Sequence, residues 1–427
     1  MPADARHPSL PAGPFLVVGL ARSGEAAARL LAERGETVIG ADAAGSDRLS
    51  EVAERLSAIG VEVQLHAADL ALLARAETLV KSPGVPAEAP LVTGARKRGM
   101  PVLGELELAW RLLSNEFIAV TGTNGKTTTT EWIAHIHRVA GAPVATAGNV
   151  GTALSSLVDR VDPAATIVAE CSSFQLEDCV AFSPEAAVLL NLSPDHLDRH
   201  HSFAAYRDAK HRIFAHQRPT DVAVLPEGYQ VPTRARQVRF GGVAETAVTL
   251  PGRHNRANAA AAAAVCLARG LAPDAVTEGL LSFRGVPHRL ELVSDRDGIR
   301  YVNDSKATNV DSTLTALAAV PAGVHLILGG QGKAQDFGPL VDAVAARCAA
   351  VYLIGEDAEQ IGRTLARAGV PIIHAGELAD AVEAARVAVR RSAAPAPVTI
   401  LLSPACASFD QFADFEARGD AFRELVR

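Results

Sequence analysis

Aromatic residues are scarce in this chain, with Phe, Trp and Tyr together making 4% of its 427 residues. Its cores must therefore be built from Ala, Val, Leu and Ile. No apolar run approaches the ~18 residues that a membrane helix needs, which argues against membrane insertion; the longest run, residues 259–268, is mostly alanine. Positive charge is not in excess either, since 41 Lys and Arg face 48 Asp and Glu for a formal net charge of −7. That balance lacks the basic face used in nonspecific nucleic-acid binding, and no nucleic-acid partner is expected. Five cysteines (Cys171, Cys179, Cys266, Cys348 and Cys406) form no CxxC pair and are odd in number. They read as buried thiols in a reducing compartment. Residues 1–8 hold no apolar signal segment, and a cytoplasmic location is expected. What remains is 48% apolar and 21% charged, a composition that excludes wholesale disorder. At roughly 150 residues per domain, the length suggests about three domains.

Residues 15–19, FLVVG, read as a short buried strand. The turn GLARSG, from Gly19 to Gly24, leads into an Ala/Leu-rich helix up to Gly35, and TVIGAD at 37–42 is a second strand. Strand, glycine turn, helix and strand make a βαβ unit, which implies a parallel sheet covered by helices. LVKSPGVP at 79–86 continues the pattern with a strand broken by turn residues. This first block is expected to span residues 1–104. The second, 105–285, opens with the strand FIAV at 117–120, followed by strands at 166–170 and 187–191 and an alanine-rich helix after Asn258. The third, 286–427, alternates strands at 299–303, 325–328, 350–354 and 398–402 with Ala-rich helices. Neither a low-complexity linker nor an internal repeat is visible. The expected fold class is α/β, three domains in series: Rossmann-like, then a P-loop-type ATPase domain, then a second Rossmann-like domain.

The strand at 117–120 runs straight into Gly122-Thr123-Asn124-Gly125-Lys126-Thr127. Glycines let backbone N–H groups close around phosphate oxygens. The following helix N-terminus adds partial positive charge, the lysine a full one, and the hydroxyl of Thr127 can ligate Mg²⁺. The general pattern is GxxxxGK[ST], and Val120 holds its first glycine position. The physics survives the departure, and the block is expected to bind a nucleoside triphosphate, ATP above all. Glu170 ends an apolar strand at the carboxyl edge of the same sheet, where an acid near phosphates is a natural Mg²⁺ ligand. His196 follows another apolar strand. His196 and His200 are spaced i, i+4 as in zinc motifs, but HLDRH lacks the glutamate of HExxH. Lys210, taken alone, reads as an exposed helix lysine. Gly19 to Gly24 with Asp42 imitates the dinucleotide fingerprint GxGxxG with an acid about 20 residues on. Ala21 stands at the second glycine, which compromises close approach of a pyrophosphate and weakens a dehydrogenase reading.

TGTNGKTT at 121–128 resembles the ATP loop of the Mur ligases, the amide-bond synthetases of peptidoglycan precursor assembly, and of the related folylpolyglutamate synthetases. ECSSFQL at 170–176, NLSPDHLDR at 191–199, GRHNRAN at 252–258 and VPHR at 286–289 are similar to that family's central-domain motifs. NDSKATN at 303–309, GGQGK at 329–333 and LSPACASFDQF at 402–412 resemble the C-terminal domain of its D-glutamate-adding members, with Phe409 in place of an expected leucine. The DNPR motif of the diaminopimelate- or lysine-adding members is absent. The resemblance spans nearly the whole chain in the expected order. Folylpolyglutamate synthetases share the loop and the chemistry but bind a pterin, and the SPACASFDQF stretch speaks against them. A related ligase using L-glutamate stays open, because the sequence barely discriminates stereochemistry.

The resemblance implies a monomeric, ATP-dependent ligase that joins D-glutamate to UDP-N-acetylmuramoyl-L-alanine through an acyl phosphate, with Mg²⁺ or Mn²⁺. It implies catalytic roles for Lys126, His196, Lys210 and Lys306. ATP would be held by Gly122, Thr123, Asn124, Gly125, Lys126, Thr127 and Thr128, with Asn258, Arg289 and Asp304. The metal ligands would be Thr127, Glu170, His196 and Lys210, the last as an N-carbamate. The first domain would hold the UDP substrate through Ala21, Arg22, Ser23, Asp42 and Ser82, joined by Asn149 and Ser172. Arg22 could pair with a phosphate or be a solvated turn residue. Thr308, Lys333, Ser408 and Phe415 would recognise D-glutamate, whose two carboxylates call for a lysine and hydroxyls.

Overall fold

Short apolar runs separated by helices give three sheets. The first holds β1 (Phe15–Val18), β2 (Val38–Ala41), β3 (Glu62–Gln64), β4 (Thr78–Lys81) and β5 (Val102–Gly104), all parallel, in the order β3-β2-β1-β4-β5. Phe15 and Val17 pack into one face of this sheet, and Leu16, Ile39 and Leu79 into the other. A parallel sheet buried on both faces reads as a continuous apolar run, as FLVV does. The chain runs outward from β1 to β3 and then returns to β4, so a crevice opens at the carboxyl ends of β1 and β4.

The second sheet holds β6 (Phe117–Thr121), β7 (Val144–Gly148), β8 (Thr166–Glu170), β9 (Ala186–Leu189), β10 (Val222–Pro226) and β11 (Arg236–Phe240), in the order β11-β10-β9-β6-β8-β7. It too is parallel, with β6 between β8 and β9 and Val120 opposite both Glu170 and Val188. Helix Glu105–Leu112 leads from the first sheet to the second. Its Glu107 is fully buried, and its carboxylate accepts hydrogen bonds from Ala181 N (3.1 Å), Phe182 N (2.9 Å) and the Arg111 guanidinium (2.8 Å). A buried carboxylate with that many donors is tolerated where an unpaired one is not.

The third sheet holds β12 (Glu291–Arg296), β13 (Ile299–Asn303), β14 (Val324–Gly329), β15 (Cys348–Ile354), β16 (Ile372–Gly376) and β17 (Val398–Leu402), in the order β12-β13-β17-β14-β15-β16. Only β12 runs antiparallel, against β13; the other pairings are parallel. The alanine-rich helix begins earlier than its composition suggests. It spans Arg253–Ala268, so Asn258 lies in its second turn and not ahead of it.

The computed structural model describes residues 6–67, 69–241, 250, 252–332, 335–392 and 397–427. Its contacts divide the chain into two compact units. One is Met1–Val248 with Ala257–Phe283, holding the first two sheets; the other is Thr249–Arg256 with Arg284–Arg427, holding the third. All five cysteines are buried free thiols. No helix among the described residues is long and apolar enough to cross a membrane.

In the second unit, Asp304 follows β13 and is buried to 5% exposure. Its Oδ1 accepts from Leu290 N at 3.1 Å and its Oδ2 from the Ser403 hydroxyl at 2.9 Å, so one carboxyl ties three segments together. Burial pushes its pKa up to about 7, against opposing pulls from the Arg289 charge and those two hydrogen bonds. A carboxyl raised in this way keeps its proton in the folded chain while the unfolded chain releases it. Between about pH 4 and pH 7 the folded state therefore holds more protons, and stability falls as pH rises. We expect urea melts of Asp304→Asn to gain on wild type as pH is raised through that window and to level off above it. A difference between the two proteins that does not change with pH would refute the assignment.

Candidate active site

The crevice of the first sheet is a cavity of about 600 Å³. Gly19, Ala21, Arg22 and Ser23 line it from the turn after β1, Asp42 from the end of β2, and Ser82 to Pro86 from the loop after β4. Asn149 and Gln175 reach it from the second sheet. Helix Arg22–Glu33 starts here, and Ala21 offers it no side-chain cap. An uncapped helix N-terminus facing a cavity is a ready anion site. Asp42 and Ser82 are both engaged in shaping the turn. Asp42 accepts from Leu20 N (2.7 Å) and Ala44 N (2.9 Å), while the Ser82 hydroxyl donates to Gly19 O (2.7 Å). Arg22 donates to Asn149 O at 2.7 Å, and Asn149 Nδ2 donates to Glu170 Oε1 at 3.0 Å. A polar chain thus links the turn after β1 to the carboxylate at the end of β8. Ser172 caps helix Ser173–Leu176 in a capping box with Gln175. It is Gln175, not singled out from the sequence, that lines the cavity, although it stands in the same ECSSFQL run.

The loop after β6 is built from its glycines. Gly122 has φ +157° and Gly125 φ +86°, the latter at the N-terminus of helix Lys126–Val139. A Cβ on Gly125 would lie 2.3 Å from Asn258 Oδ1, so Asn258 packs directly on the loop. Lys126 Nζ folds over it, donating to Gly122 O (3.0 Å) and Thr123 O (2.9 Å). Asn191, after β9, clasps Asn124 reciprocally, accepting from its N–H at 2.9 Å and donating to its carbonyl at 3.0 Å. The Thr123 hydroxyl meets Tyr206 Oη at 3.0 Å. Asn191 and Tyr206 escaped the sequence reading because their role is to hold this loop from distant segments. Thr127 is the second residue of the helix, and Thr128 is buried with no hydrogen-bond partner for its Oγ1 among the described residues.

Lys210 is buried to 2% exposure, on helix Phe203–His211. Its Nζ donates to Gly122 O at 2.8 Å and lies 4.8 Å from the Tyr206 ring centroid. Burial first, and the Lys126 charge second, hold its pKa well below the ordinary lysine value. An exposed helix lysine is therefore not what stands here. His196 has φ +52° at the start of helix Leu197–His200 and sets its half-exposed ring edge-on to Phe174 at 4.8 Å. His200 stacks on the same ring, with Nε2 3.0 Å from the Ser173 hydroxyl. Among the described residues no group of three or more His, Cys, Asp or Glu side chains gathers as a metal cage. A single buried carboxylate, Glu170, at the strand next to a phosphate loop with a hydroxyl at Thr127 is instead a sparse oxygen set. Such a set fits Mg²⁺, which keeps waters and phosphate oxygens as its remaining ligands.

In the second unit, Lys306 Nζ lies 5.1 Å over the Phe415 ring, at the start of helix Phe415–Val426. Ser408 is buried and Thr308 half-buried. The segments bearing Lys306 and Ser408 are joined by Arg418, a fully buried residue with no sequence signal of its own. Its guanidinium donates to Ser305 Oγ (2.9 Å), Ser305 O (2.8 Å), Cys406 O (3.0 Å) and Ala407 O (3.2 Å). Arg289 is half-buried, with its Nε lacking a hydrogen-bond partner among the described residues. Lys333 lies outside the described residues.

Three family models match the chain in order: "Mur ligase MurD-like, N-terminal domain" over residues 14–104, "Mur ligase middle domain" over 120–238, and "Mur ligase, glutamate ligase domain" over 288–406. The UDP-N-acetylmuramoylalanine--D-glutamate ligase of Acidobacterium capsulatum is 42% identical, over 96% of this chain and 95% of that protein. The enzyme of the same name from Anaeromyxobacter dehalogenans is also 42% identical, over 98% of both chains. Among solved structures, the UDP-N-acetylmuramate-alanine ligase of Thermotoga maritima matches with a TM-score of 0.58 at 20% identity, over 97% of this chain and 99% of its own. The folylpolyglutamate synthase of Mycobacterium tuberculosis shares the fold at the same TM-score of 0.58 and 17% identity, over 78% of this chain and 94% of its own. Similarity of this depth over nearly the full length of both relatives leaves one conclusion: the chain belongs to the Mur ligase family.

Proposed function

We propose that this chain is an ATP-dependent ligase that joins D-glutamate to UDP-N-acetylmuramoyl-L-alanine in cytoplasmic peptidoglycan precursor synthesis, acting as a monomer. The relatives' shared name supports this substrate pair. The observation that carries the reading is the chain of contacts from Arg22 through Asn149 to Glu170, which ties the cavity to a carboxylate at the end of β8, the strand beside the one that runs into the phosphate loop. Residues 1–104 would hold the UDP moiety, 105–285 ATP and 286–427 the amino acid. The alanyl carboxylate attacks the γ-phosphorus of ATP, the bond to ADP breaks, and an acyl phosphate forms. The glutamate amine then attacks the carbonyl carbon, loses a proton, and phosphate leaves. Both steps build negative charge on oxygen, so fixed positive charge and N–H groups do most of the work. Lys126 and the N-terminus of its helix would face the phosphates, and Asn258, Arg289 and Asp304 are the further residues that the resemblance assigns to the nucleotide. Thr127, Glu170 and His196, with Lys210 as a carbamate, would hold Mg²⁺ or Mn²⁺, which when bound supplies further charge against the phosphate oxygens. Lys306, Thr308, Lys333, Ser408 and Phe415 would seat glutamate.

Phosphate release should require ATP, the nucleotide sugar and glutamate together, with D-glutamate preferred over L-glutamate; release with any one of them omitted would overturn the reading. Lys126→Ala should lower turnover roughly 100- to 1000-fold while UDP binding in calorimetry stays as in wild type. Equal loss of both would contradict the separation of the two sites. For Lys210, a neutral amine in its buried seat attacks CO₂, forms an N–C bond and releases a proton, which turns a repelled cation into an anion. Lys210→Ala should then be nearly inactive and partly rescued by acetate or propionate. Full activity of the variant at saturating Mg²⁺ would reject the carbamate, and inactivity without rescue would mark Lys210 as purely structural.

A further inference from the structure

The loop after β4 forms one wall of the cavity, yet it makes little structure of its own. Pro83 and Pro86 carry no N–H, and between Ser82 and Pro86 the backbone closes on itself through Val85 N to Ser82 O at 3.0 Å. A Cβ on Gly19 would stand 2.5 Å from Val85 Cγ2, so this loop and the diphosphate-facing turn are already in close approach. Two cations fix it from behind. Lys81, fully buried, donates to Val85 O at 2.9 Å; Arg199 donates to the same carbonyl at 2.8 Å and to Pro83 O at 3.3 Å. Both converge on one carboxylate oxygen, Glu177 Oε1, at 3.1 Å and 2.8 Å.

Arg199 has a second attachment. It lies in the single-turn helix that His196 opens, and its own N–H donates to His196 O at 3.1 Å. Its guanidinium carbon sits 4.7 Å over the Phe174 ring, the same ring against which His196 packs. One side chain therefore touches the wall of the substrate cavity, the acid after helix Ser173–Leu176, and the surroundings of His196. Stability alone does not account for such an arrangement, since desolvating buried ion pairs consumes most of what their attraction returns. What the arrangement does specify is relative position.

We propose that Arg199, with Lys81 and Glu177, is a positioning clamp that registers the nucleotide-sugar wall against the His196 turn. Arg199 acts through the loop and through His196, not by contact with substrate. The inference rests on reading the cavity as the UDP subsite, and UDP itself is therefore the probe. A lysine at 199 keeps the charge but has a shorter reach to Glu177 and the two loop carbonyls, and it has no planar guanidinium to lie over the Phe174 ring. In Arg199→Lys and Arg199→Ala, calorimetric Kd for UDP and KM for the nucleotide sugar should rise roughly tenfold or more, with a lower kcat. KM values for ATP and glutamate should stay within about twofold of wild type. A folded Arg199→Lys whose UDP Kd remains within about twofold of wild type overturns the clamp, as does an equal rise in all three KM values. Should the alanine variant fail to fold, the lysine variant decides. Should neither fold, the contacts are structural and the proposal falls. Wild-type protein that binds UDP but releases no phosphate with its three substrates would instead refute the proposed function, and the UDP titrations would still judge the clamp.

Discussion

Burial of charge at the carboxyl edges of parallel strands is the constraint from which the rest of the first unit follows. Glu170, Lys210 and Lys81 are each at most 3% exposed; Glu170 and Lys81 end strands, and Lys210 reaches from its helix to Gly122 O, just past the end of β6. An ion in that position is expensive unless it is paired and hydrogen-bonded. Each partner supplied to meet the requirement fixes a loop. Asn149 reaches Glu170 and is itself held by Arg22; Lys210 finds Gly122 O; Lys81 finds Val85 O and Glu177. The loops that line the cavity and that follow β6 are thus ordered by charges that face inward.

The same rule operates away from the edges. Glu107 satisfies its carboxylate with consecutive backbone N–H groups, and Arg418 satisfies its guanidinium with carbonyls and a serine hydroxyl. In both places a single buried ion joins segments far apart in the chain. With so few aromatic side chains to lock packing by shape, these polar joints carry much of the positional information that the aliphatic cores leave loose.

This division explains which features were legible in the sequence. The phosphate loop, its glycines and its lysine are neighbours in the chain, and turn chemistry is local. Strands such as FLVV or TIVAE announce themselves because both their faces are buried. Edge strands do not: β11, RQVRF, and β12, ELVSDR, are half polar, and the antiparallel pairing of β12 leaves no mark in composition. The burial of Lys210, the clasp of Asn191 and the grip of Arg418 depend on partners about 70 to 110 positions away. Even a correctly singled-out residue can point elsewhere. Asp42 and Ser82 line the cavity, but the hydrogen bonds that hold them go to its own walls.

The imperfect dinucleotide fingerprint shows how such constraints can be separated. Gly19 is required by the protein itself, because its φ is +84° and a Cβ would strike Val85. Gly24 is required likewise, since a Cβ there would lie 1.7 Å from Gly19 O. Position 21 is different: Ala21 has φ −67° and ψ −177°, a conformation open to any residue. Glycine at that point is demanded only by a ligand whose pyrophosphate must press against the backbone. The two glycines that the fold needs are present, and the one that a dinucleotide needs is not. The turn has therefore kept its packing and its exposed helix N-terminus while giving up the closest approach. What it keeps is an uncapped helix N-terminus beside the wall formed by Ser82 to Pro86, an anion site that does not depend on a glycine at position 21.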